Sequence, residues 1–311
     1  MKPAEIFLTL SLLSILFLTM TGCTSNDTNM ADDNSKIQVV ATFYPIYDIA
    51  KKIGGEKIKV YSLIPSGVEP HDYEPNPQDI IRLNKADIFI VIGLEFSNIE
   101  KELMEITSTN VKVIDSIKGI PLLDAEKTSN VHKDKEDNNM GKDPHIWLSP
   151  KNMITVAKNI KEGLIQTEPE NKKYYEQNAD KVITELQMLD TDFRKMLSNC
   201  KKDIILVNHL AFAYLANEYG FRQIGIAGLS QESEPSPQQL VKLKELALKN
   251  NIKYIFYEEL VEPRIAQTIA KEISGNTLVL NPIEGSDKLN EDYISLMRKN
   301  LANLKLGLEC A

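Results

Sequence analysis

The fold of this chain is set by a strand–helix–strand unit, IQVVATFYPIYDIAKKIGGEKIKVYSLI, at residues 37–64. Its two ends, residues 37–43 and 57–64, are rich in Val, Ile and aromatic side chains and predict strands. The segment between them, near residues 44–53, predicts a helix. A strand, a helix and a second strand in this order form the repeating unit of a parallel sheet that has helices on its faces.

The same alternation continues along the chain. The run ADIFIVIG at residues 86–93 is almost wholly apolar, as expected for a strand that is covered on both faces. Further strands are predicted at residues 110–116, 203–209, 221–226, 253–258 and 277–281, and helices near residues 77–84, 210–219, 236–250, 263–273 and 290–307. We therefore expect an α/β protein with two Rossmann-like lobes, each built on a four-stranded parallel sheet.

A long helix is predicted between the two halves, from about residue 171 to residue 198. Apolar side chains recur there at steps of three and four, which places them on one face of a helix. They are Tyr175, Ala179, Val182, Leu186, Leu189, Phe193 and Met196. One stiff helix joining two lobes should let them move little against each other.

The first 36 residues precede the predicted fold. The apolar run at residues 6–20 is short for a membrane-spanning helix and typical of a signal segment. The small residues before Cys23 indicate a lipoprotein processing site, at which the thiol is lipidated; ordinary signal cleavage and an uncleaved anchor are the alternatives. We divide the chain into a signal segment (1–23), a flexible tether (24–36), an N-terminal lobe (37–170), a linking helix (171–199) and a C-terminal lobe (200–311).

Composition narrows the class of partner. The 311 residues include 44 acidic and 36 basic side chains, giving a net charge of −8, and no basic stretch stands out. A nucleic-acid partner is therefore not expected. A hydrophobic content of 42% is typical of a globular chain rather than a disordered one.

Two cysteines, Cys200 and Cys310, remain once Cys23 is assigned to the signal segment. Cys200 precedes a predicted strand and Cys310 ends the last predicted helix. In a parallel α/β lobe these two positions lie at the same edge of the sheet, and export permits a disulfide. We predict a bridge between them, with two free thiols as the alternative.

Three of the four histidines stand in turn-like contexts. His71 lies in GVEPHDYEP after the second strand, His145 lies in DPHIWLSP before a helix that begins near Pro150, and His209 ends the first strand of the second half. Because open α/β sheets bind ligands outside the carboxyl ends of their strands, His71 and His209 should face a cleft between the lobes. The three imidazoles predict a metal site to which both lobes contribute.

A carboxylate from the second lobe would complete the site. The loop NPIEGSD after the last strand offers Glu284, with Asn281 and Asp287 as alternatives. Three imidazoles and one carboxylate suit tetrahedral Zn²⁺, whereas Mn²⁺ prefers more oxygen ligands.

Other side chains near these loops receive simpler interpretations. Glu258 and Glu259 follow a strand and either face the cleft or cap the next helix, the second being the commoner role of a carboxylate at a strand end. Tyr44 and Trp147 are read as core or wall. Asp143 either orients His145 or begins a turn with the proline that follows it.

The chain resembles the zinc-uptake substrate-binding proteins of ABC importers, within a larger zinc, manganese and iron family. The resemblance runs from about residue 37 to residue 310. Its motifs are ATFYPIYDIAKKIGG (41–55), PSGVEPHDYEPNPQDI (65–80), DPHIWLSP (143–150), NHLAFAYLANEYGF (208–221), GLSQESEPSPQQL (228–240) and LNPIEG (280–285). It implies that His71, His145 and His209 bind the metal, and it transfers the fourth position to Glu284, although some relatives carry an Asp near the position of Asn281.

The resemblance also implies a function and a location. The expected role is capture of Zn²⁺ in the inter-lobe cleft and its delivery to an ABC permease and its ATPase, by a monomer anchored through lipid on the extracytoplasmic face of the membrane. No enzymatic activity is expected. Mn²⁺ or iron is the alternative cargo, an exported zinc hydrolase is the alternative class, and a role in cell adhesion is a further function described for some relatives.

Zinc members of that family tend to carry a histidine-rich loop before the DPH motif. In this chain the corresponding loop, residues 124–143, has one histidine, His132, among lysines and carboxylates. It is either a weak accessory metal site or a solvated loop.

Overall fold

The computed structural model describes residues 36–65, 67–68, 70, 73–93, 98–124, 141–208, 210–226, 236–259, 263–285 and 291–311. The signal segment with Cys23, most of the predicted tether, and the candidate residues His71, His132, His209 and Asp287 lie outside these ranges. Among the described residues, no helix combines the length and the apolar character needed to cross a membrane.

The N-terminal lobe is a parallel sheet with strand order β2-β1-β3-β4. Its strands are β1 (Ile37–Ala41), β2 (Ile58–Ser62), β3 (Ile88–Val91) and β4 (Lys112–Asp115), and the helices between them are α1 (Tyr44–Gly54), α2 (Pro77–Asn84) and α3 (Asn98–Ile106). The order reverses between β1 and β3, which is the position at which such sheets bind ligands. Helix α3 was not predicted from the sequence.

Two helices lead from the first lobe to the second. Helix α4 (Pro150–Thr167) begins at Pro150, as predicted, because the Ser149 side chain caps it by accepting from the Asn152 N–H. Helix α5 (Lys172–Met196) follows, and its buried stripe includes every predicted residue except Met196, which is partly buried. The stripe therefore forms the face on which the two lobes pack.

The C-terminal lobe repeats the topology with order β6-β5-β7-β8, again all parallel. Its strands are β5 (Ile204–Val207), β6 (Arg222–Gly225), β7 (Tyr254–Tyr257) and β8 (Asn276–Val279), and its helices are α6 (Ala213–Tyr219), α7 (Pro237–Lys249), α8 (Arg264–Glu272) and α9 (Tyr293–Gly307). The predicted fold class, two α/β lobes with four-stranded parallel sheets and a long linking helix, is confirmed.

The lobes share one hydrophobic core. A single cluster of buried side chains runs from Val39 and Ile90 of the first sheet, through Leu189 of α5, to Val207 and Leu280 of the second lobe. Apolar burial contributes about 25 cal/mol per Å², so opening the lobes along this face would expose a large, costly surface. A shared core is consistent with the small lobe motion predicted from the linking helix.

A disulfide closes the far edge of the second lobe. Cys200 and Cys310 are joined across 110 residues of sequence, and the predicted bridge is present. Cys200 precedes β5, and the Lys202 N–H donates to the Leu308 carbonyl at 3.0 Å. The bridge therefore lies at the amino ends of the strands, opposite the end at which ligands are expected.

Candidate metal site

His145 lies in a buried turn between β4 and α4. It follows the Asp-Pro pair at residues 143–144 and precedes a short 3₁₀ turn, Ile146–Leu148, that leads to the capped start of α4. The His145 side chain has no exposed surface. A proline on each side of the turn and the Ser149 cap restrict the backbone, so the imidazole is held in one place.

Asp143 orients the imidazole. Its Oδ1 accepts from the His145 backbone N–H at 2.9 Å and lies 2.9 Å from His145 Nδ1. A carboxylate at this distance is a hydrogen-bond acceptor, so Nδ1 carries the proton and Nε2 becomes the atom that can bind a metal. Of the two interpretations of Asp143, the contacts support orientation of His145.

The second lobe braces the same turn through Tyr214 of α6. Its hydroxyl donates to the Asp143 carbonyl at 2.8 Å and accepts from the Leu123 N–H at 3.1 Å. Burial raises the pKa of Tyr214 to about 12, so the phenol stays protonated and able to donate near neutral pH. The turn that carries His145 is therefore fixed from both lobes.

Glu284 reaches His145 from the loop that follows β8. Its side chain is 1% exposed, and its Oε1 lies 3.6 Å from His145 Nε2. Two ligand atoms of a tetrahedral zinc ion, each about 2.0–2.1 Å from the metal, lie about 3.4 Å apart. The two atoms are therefore spaced as ligands of one ion would be.

Asn281 is engaged elsewhere. Its Oδ1 accepts from the Ile283 N–H at 2.7 Å and its Nδ2 donates to Glu259 at 3.1 Å. Its backbone N–H and carbonyl are both bonded to the Asn300 side chain. Asn281 thus shapes the loop, and Glu284 is the side chain that the loop presents to His145.

The structure brings together His145 and Glu284 out of the four predicted ligands. His71 and His209, like Asp287, fall outside the described residues, within which no group of three or more His, Cys, Asp or Glu side chains is arranged to hold a metal. In the sequence, His209 comes two residues after Val207, which ends β5. The predicted roles of His71 and His209 stay predictions.

Several nearby residues differ from their simple interpretation. Glu258 is 2% exposed and Glu259 accepts from Asn281. Neither caps α8, because Pro263 occupies its N-cap position and makes no side-chain capping bond there. Tyr44 and Trp147 are buried as predicted, but each also donates a hydrogen bond to the second lobe, Tyr44 to the Glu291 carbonyl at 3.0 Å and Trp147 to the Pro282 carbonyl at 2.6 Å. Sequence reasoning missed these contacts; the one available signal was the position of Trp147, two residues after His145.

The fold and this site define a two-lobed binding protein with metal-ligand side chains at the junction of its lobes. A sequence profile of the ZnuA family, described as "Zinc-uptake complex component A periplasmic", matches residues 39–307. The chain belongs to this family.

Two relatives illustrate the sequence similarity. The high-affinity zinc uptake system protein ZnuA of Bacillus subtilis is 37% identical over 309 residues, which cover 96% of this chain and 97% of that protein. The zinc-binding lipoprotein AdcA of Streptococcus pneumoniae is 36% identical over 308 residues, which cover 96% of this chain and 60% of AdcA. This chain therefore spans about three-fifths of the longer streptococcal proteins.

Solved structures agree with the fold. The Zn(II)-bound ZnuA-like domain of Streptococcus pneumoniae AdcA matches with a TM-score of 0.77 and 35% identity, covering 88% of this chain and 99% of that domain. The laminin-binding protein Lmb of Streptococcus agalactiae, described as bifunctional with adhesin and metal-transporting activity, matches with a TM-score of 0.77 and 29% identity, covering 88% of this chain and 99% of Lmb.

Proposed function

We propose that this protein is the extracytoplasmic zinc-capture component of an ABC importer. His71 and His145 from the first lobe, with His209 and Glu284 from the second, bind Zn²⁺ between the lobes. The loaded protein then delivers the ion to a membrane permease driven by an ATPase. The protein acts as a monomer and is anchored to the membrane by lipid on Cys23.

One observation carries the proposal: His145 Nε2 and Glu284 Oε1 lie 3.6 Å apart, both buried, across the two lobes. The hydrogen bond from His145 Nδ1 to Asp143 orients the imidazole, so that Nε2 faces Glu284. A mixed imidazole and carboxylate set suits Zn²⁺ before Mn²⁺. The names of the relatives, which are zinc uptake and zinc-binding proteins, support the same cargo.

The buried pair also favours capture over catalysis. A catalytic zinc ion keeps one position open for water. Here Glu284 Oε1 lies at the spacing of a fourth ligand rather than at the extra distance that an intervening water needs. We therefore assign Glu284 to binding and propose no hydrolytic reaction.

The direct test is a competition titration of the metal-free protein with Zn²⁺ and Mn²⁺ against a chelator of known affinity. We expect Zn²⁺ to bind at one high-affinity site and Mn²⁺ to bind more weakly. His145→Ala should abolish the high-affinity site, because it removes a ligand. Glu272→Gln, which removes an exposed carboxylate of α8, is the matched control and should titrate like wild type. High-affinity Zn²⁺ binding by His145→Ala would refute the assignment.

A further inference from the structure

We propose that Trp147 is a positioning residue that sets the place of Glu284 relative to His145. The inference rests on the proposed function, because it assigns a role within the same metal site. Trp147 belongs to the same turn as His145, and its ring centroid lies 5.1 Å from the imidazole centroid. It is fully buried and packs edge-on against Phe43 at 4.7 Å.

Trp147 bonds to the chain on both sides of Glu284. Its Nε1–H donates to the Pro282 carbonyl at 2.6 Å, two residues before Glu284. Its own carbonyl accepts from the Tyr293 hydroxyl at 2.6 Å, at the start of α9. One residue of the first lobe therefore restrains the segment of the second lobe that carries the carboxylate.

The loop needs such a restraint because its backbone is strained. Ile283, between Pro282 and Glu284, has a φ of +58°, a left-handed conformation that β-branched residues rarely adopt. Two contacts within the second lobe oppose relaxation: the Ile283 side chain is fully buried, and its N–H donates to Asn281 Oδ1. The hydrogen bond from Trp147 holds the neighbouring carbonyl from the other lobe.

Only a few residues connect the two ligands through the Trp147 hydrogen bond. His145 and Trp147 are two residues apart in one turn, and Pro282 and Glu284 are two residues apart in one loop. The indole hydrogen bond joins the turn to the loop, so it sets the separation between Nε2 and Oε1 without relying on the distant parts of either lobe. When the N–H is removed, the Pro282 peptide loses its restraint from the first lobe, so Ile283 can relax from the left-handed region against the two remaining contacts and Glu284 shifts.

The test compares Trp147→Phe with wild type in a Zn²⁺ titration against a chelator. The variant keeps an aromatic ring beside Phe43 and loses the donor. We expect affinity to fall about 10- to 100-fold, the usual effect of removing a group that orients a metal ligand. Tyr175→Phe is the control: it also removes one aromatic donor, to Glu168 in the helical region between the lobes, and should bind Zn²⁺ like wild type.

A double-mutant cycle separates positioning from a general structural effect. If Trp147 acts through Glu284, adding Trp147→Phe to Glu284→Ala should change affinity less than about 2-fold, because the positioned group is already gone. An equal loss in both backgrounds, or wild-type affinity in Trp147→Phe alone, would overturn the positioning role and leave the proposed function standing. Wild-type affinity in Glu284→Ala would overturn the ligand assignment itself.

An isostere covers the case in which Trp147→Phe does not fold. Trp147 is the one tryptophan of the chain, so biosynthetic replacement by 3-benzothienylalanine changes this position alone and keeps the bicyclic shape without the N–H. We expect the same loss of Zn²⁺ affinity as in Trp147→Phe. Wild-type affinity in this substituted protein would overturn the proposal.

Discussion

The two ends of the C-terminal sheet are held by different chemistry. At the amino ends of the strands, a covalent bond between Cys200 and Cys310 fastens the last helix to the segment before β5. At the carboxyl ends, the loop that carries Glu284 is fastened to the other lobe by the hydrogen bond from Trp147 to Pro282, and the start of α9 is fastened to that lobe by the ion pair between Lys52 and Asp292. The amino ends of the strands, here called the far end, stabilise the fold of one lobe. The carboxyl ends, here called the near end, fix the distance between the two lobes. Stability and ligand geometry should therefore respond to different substitutions.

The largest expected effect on stability lies at the far end. A disulfide closing a loop of about 110 residues contributes about 4–5 kcal/mol in the chain-entropy limit and about 2–5 kcal/mol in practice. Replacing Cys200 and Cys310 together by Ser should lower the free energy of unfolding by about 2–5 kcal/mol, measured in urea titrations. Zn²⁺ affinity of the folded variant should stay within about 2-fold of wild type. A matching loss of affinity would show that the two ends are coupled.

The largest effect on binding is expected at the near end. Glu284→Ala removes the one anionic ligand of the proposed set, so Zn²⁺ affinity should fall by about 100-fold or more, which corresponds to about 2.7 kcal/mol. The free energy of unfolding of the metal-free protein should change by about 1 kcal/mol or less. Chelator competition and urea unfolding on the same samples measure both quantities. A loss of stability in Glu284→Ala as large as that of the cysteine variant would show that stability and ligand geometry are not separated between the two ends of the sheet.

A smaller effect on binding is expected from Asp143→Asn. The amide keeps the size of the side chain but lacks the charge that stabilises the proton on His145 Nδ1. Affinity should fall about 10- to 100-fold. Asp203→Asn is the matched control. Asp203 lies just before β5, is exposed and pairs with Arg222, so this variant should leave the titration unchanged. Equal titrations for the two variants would remove Asp143 from the site.

The smallest effect is expected from the ion pairs that tie α1 to the start of α9. Lys52 Nζ lies 3.1 Å from Asp48 and 2.6 Å from Asp292. Lys52→Met should lower the free energy of unfolding by about 1–2 kcal/mol, since the group is partly exposed and screened. Lys244→Met, which breaks an exposed pair with Glu272, should cost less.

The same substitution makes a pH prediction with a definite sign. Burial favours the neutral forms, but the partners outweigh it: the pKa of Asp292 is lowered to about 2 by hydrogen bonds from Lys52 and Ser295, and the pKa of Lys52 is raised above 10.5 by Asp48 and Asp292. The Asp292 contribution is present above pH 3.8 and is lost as pH falls toward 2; the Lys52 contribution is present below pH 10.5 and is lost above it. Burial raises the pKa of Asp48, and this opposite shift reduces the loss of stability at low pH.

Urea unfolding of wild type and Lys52→Met across this range measures the difference between them. The advantage of wild type should be nearly constant between about pH 5 and 10 and should shrink at both extremes. A difference that does not change with pH would mean that Lys52 acts by packing alone.

Periodicity and residue order were enough to predict the general architecture. Alternating apolar runs gave the two α/β lobes, the stripe on α5 gave the linking helix, and the shared sheet edge gave the pairing of Cys200 with Cys310. Helix α3 escaped prediction. Its sequence, NIEKELMEI, does place Ile99, Leu103 and Ile106 at helical spacing, so the signal was present but confined to nine residues.

The site was predicted less completely, for a physical reason. The motif indicated His145 and Glu284, but three side chains of one loop competed for the fourth position, and only their contacts separate Asn281 from Glu284. The bond from Trp147 to Pro282 spans 135 residues, and the left-handed φ of Ile283 has no local signal, because β-branched residues rarely adopt that conformation. Both features arise from tertiary packing, which local sequence patterns do not encode.

The location of Trp147 also gives this protein an optical property. All indole fluorescence of the chain comes from one ring, which is fully buried and lies 5.1 Å from the imidazole of His145. Its emission wavelength and intensity report the polarity and quenching groups around a single turn, without contributions from other indoles. The natural sequence therefore contains its own probe for the rate at which an ion reaches the lobe junction and leaves it, readable by stopped-flow mixing without an attached dye.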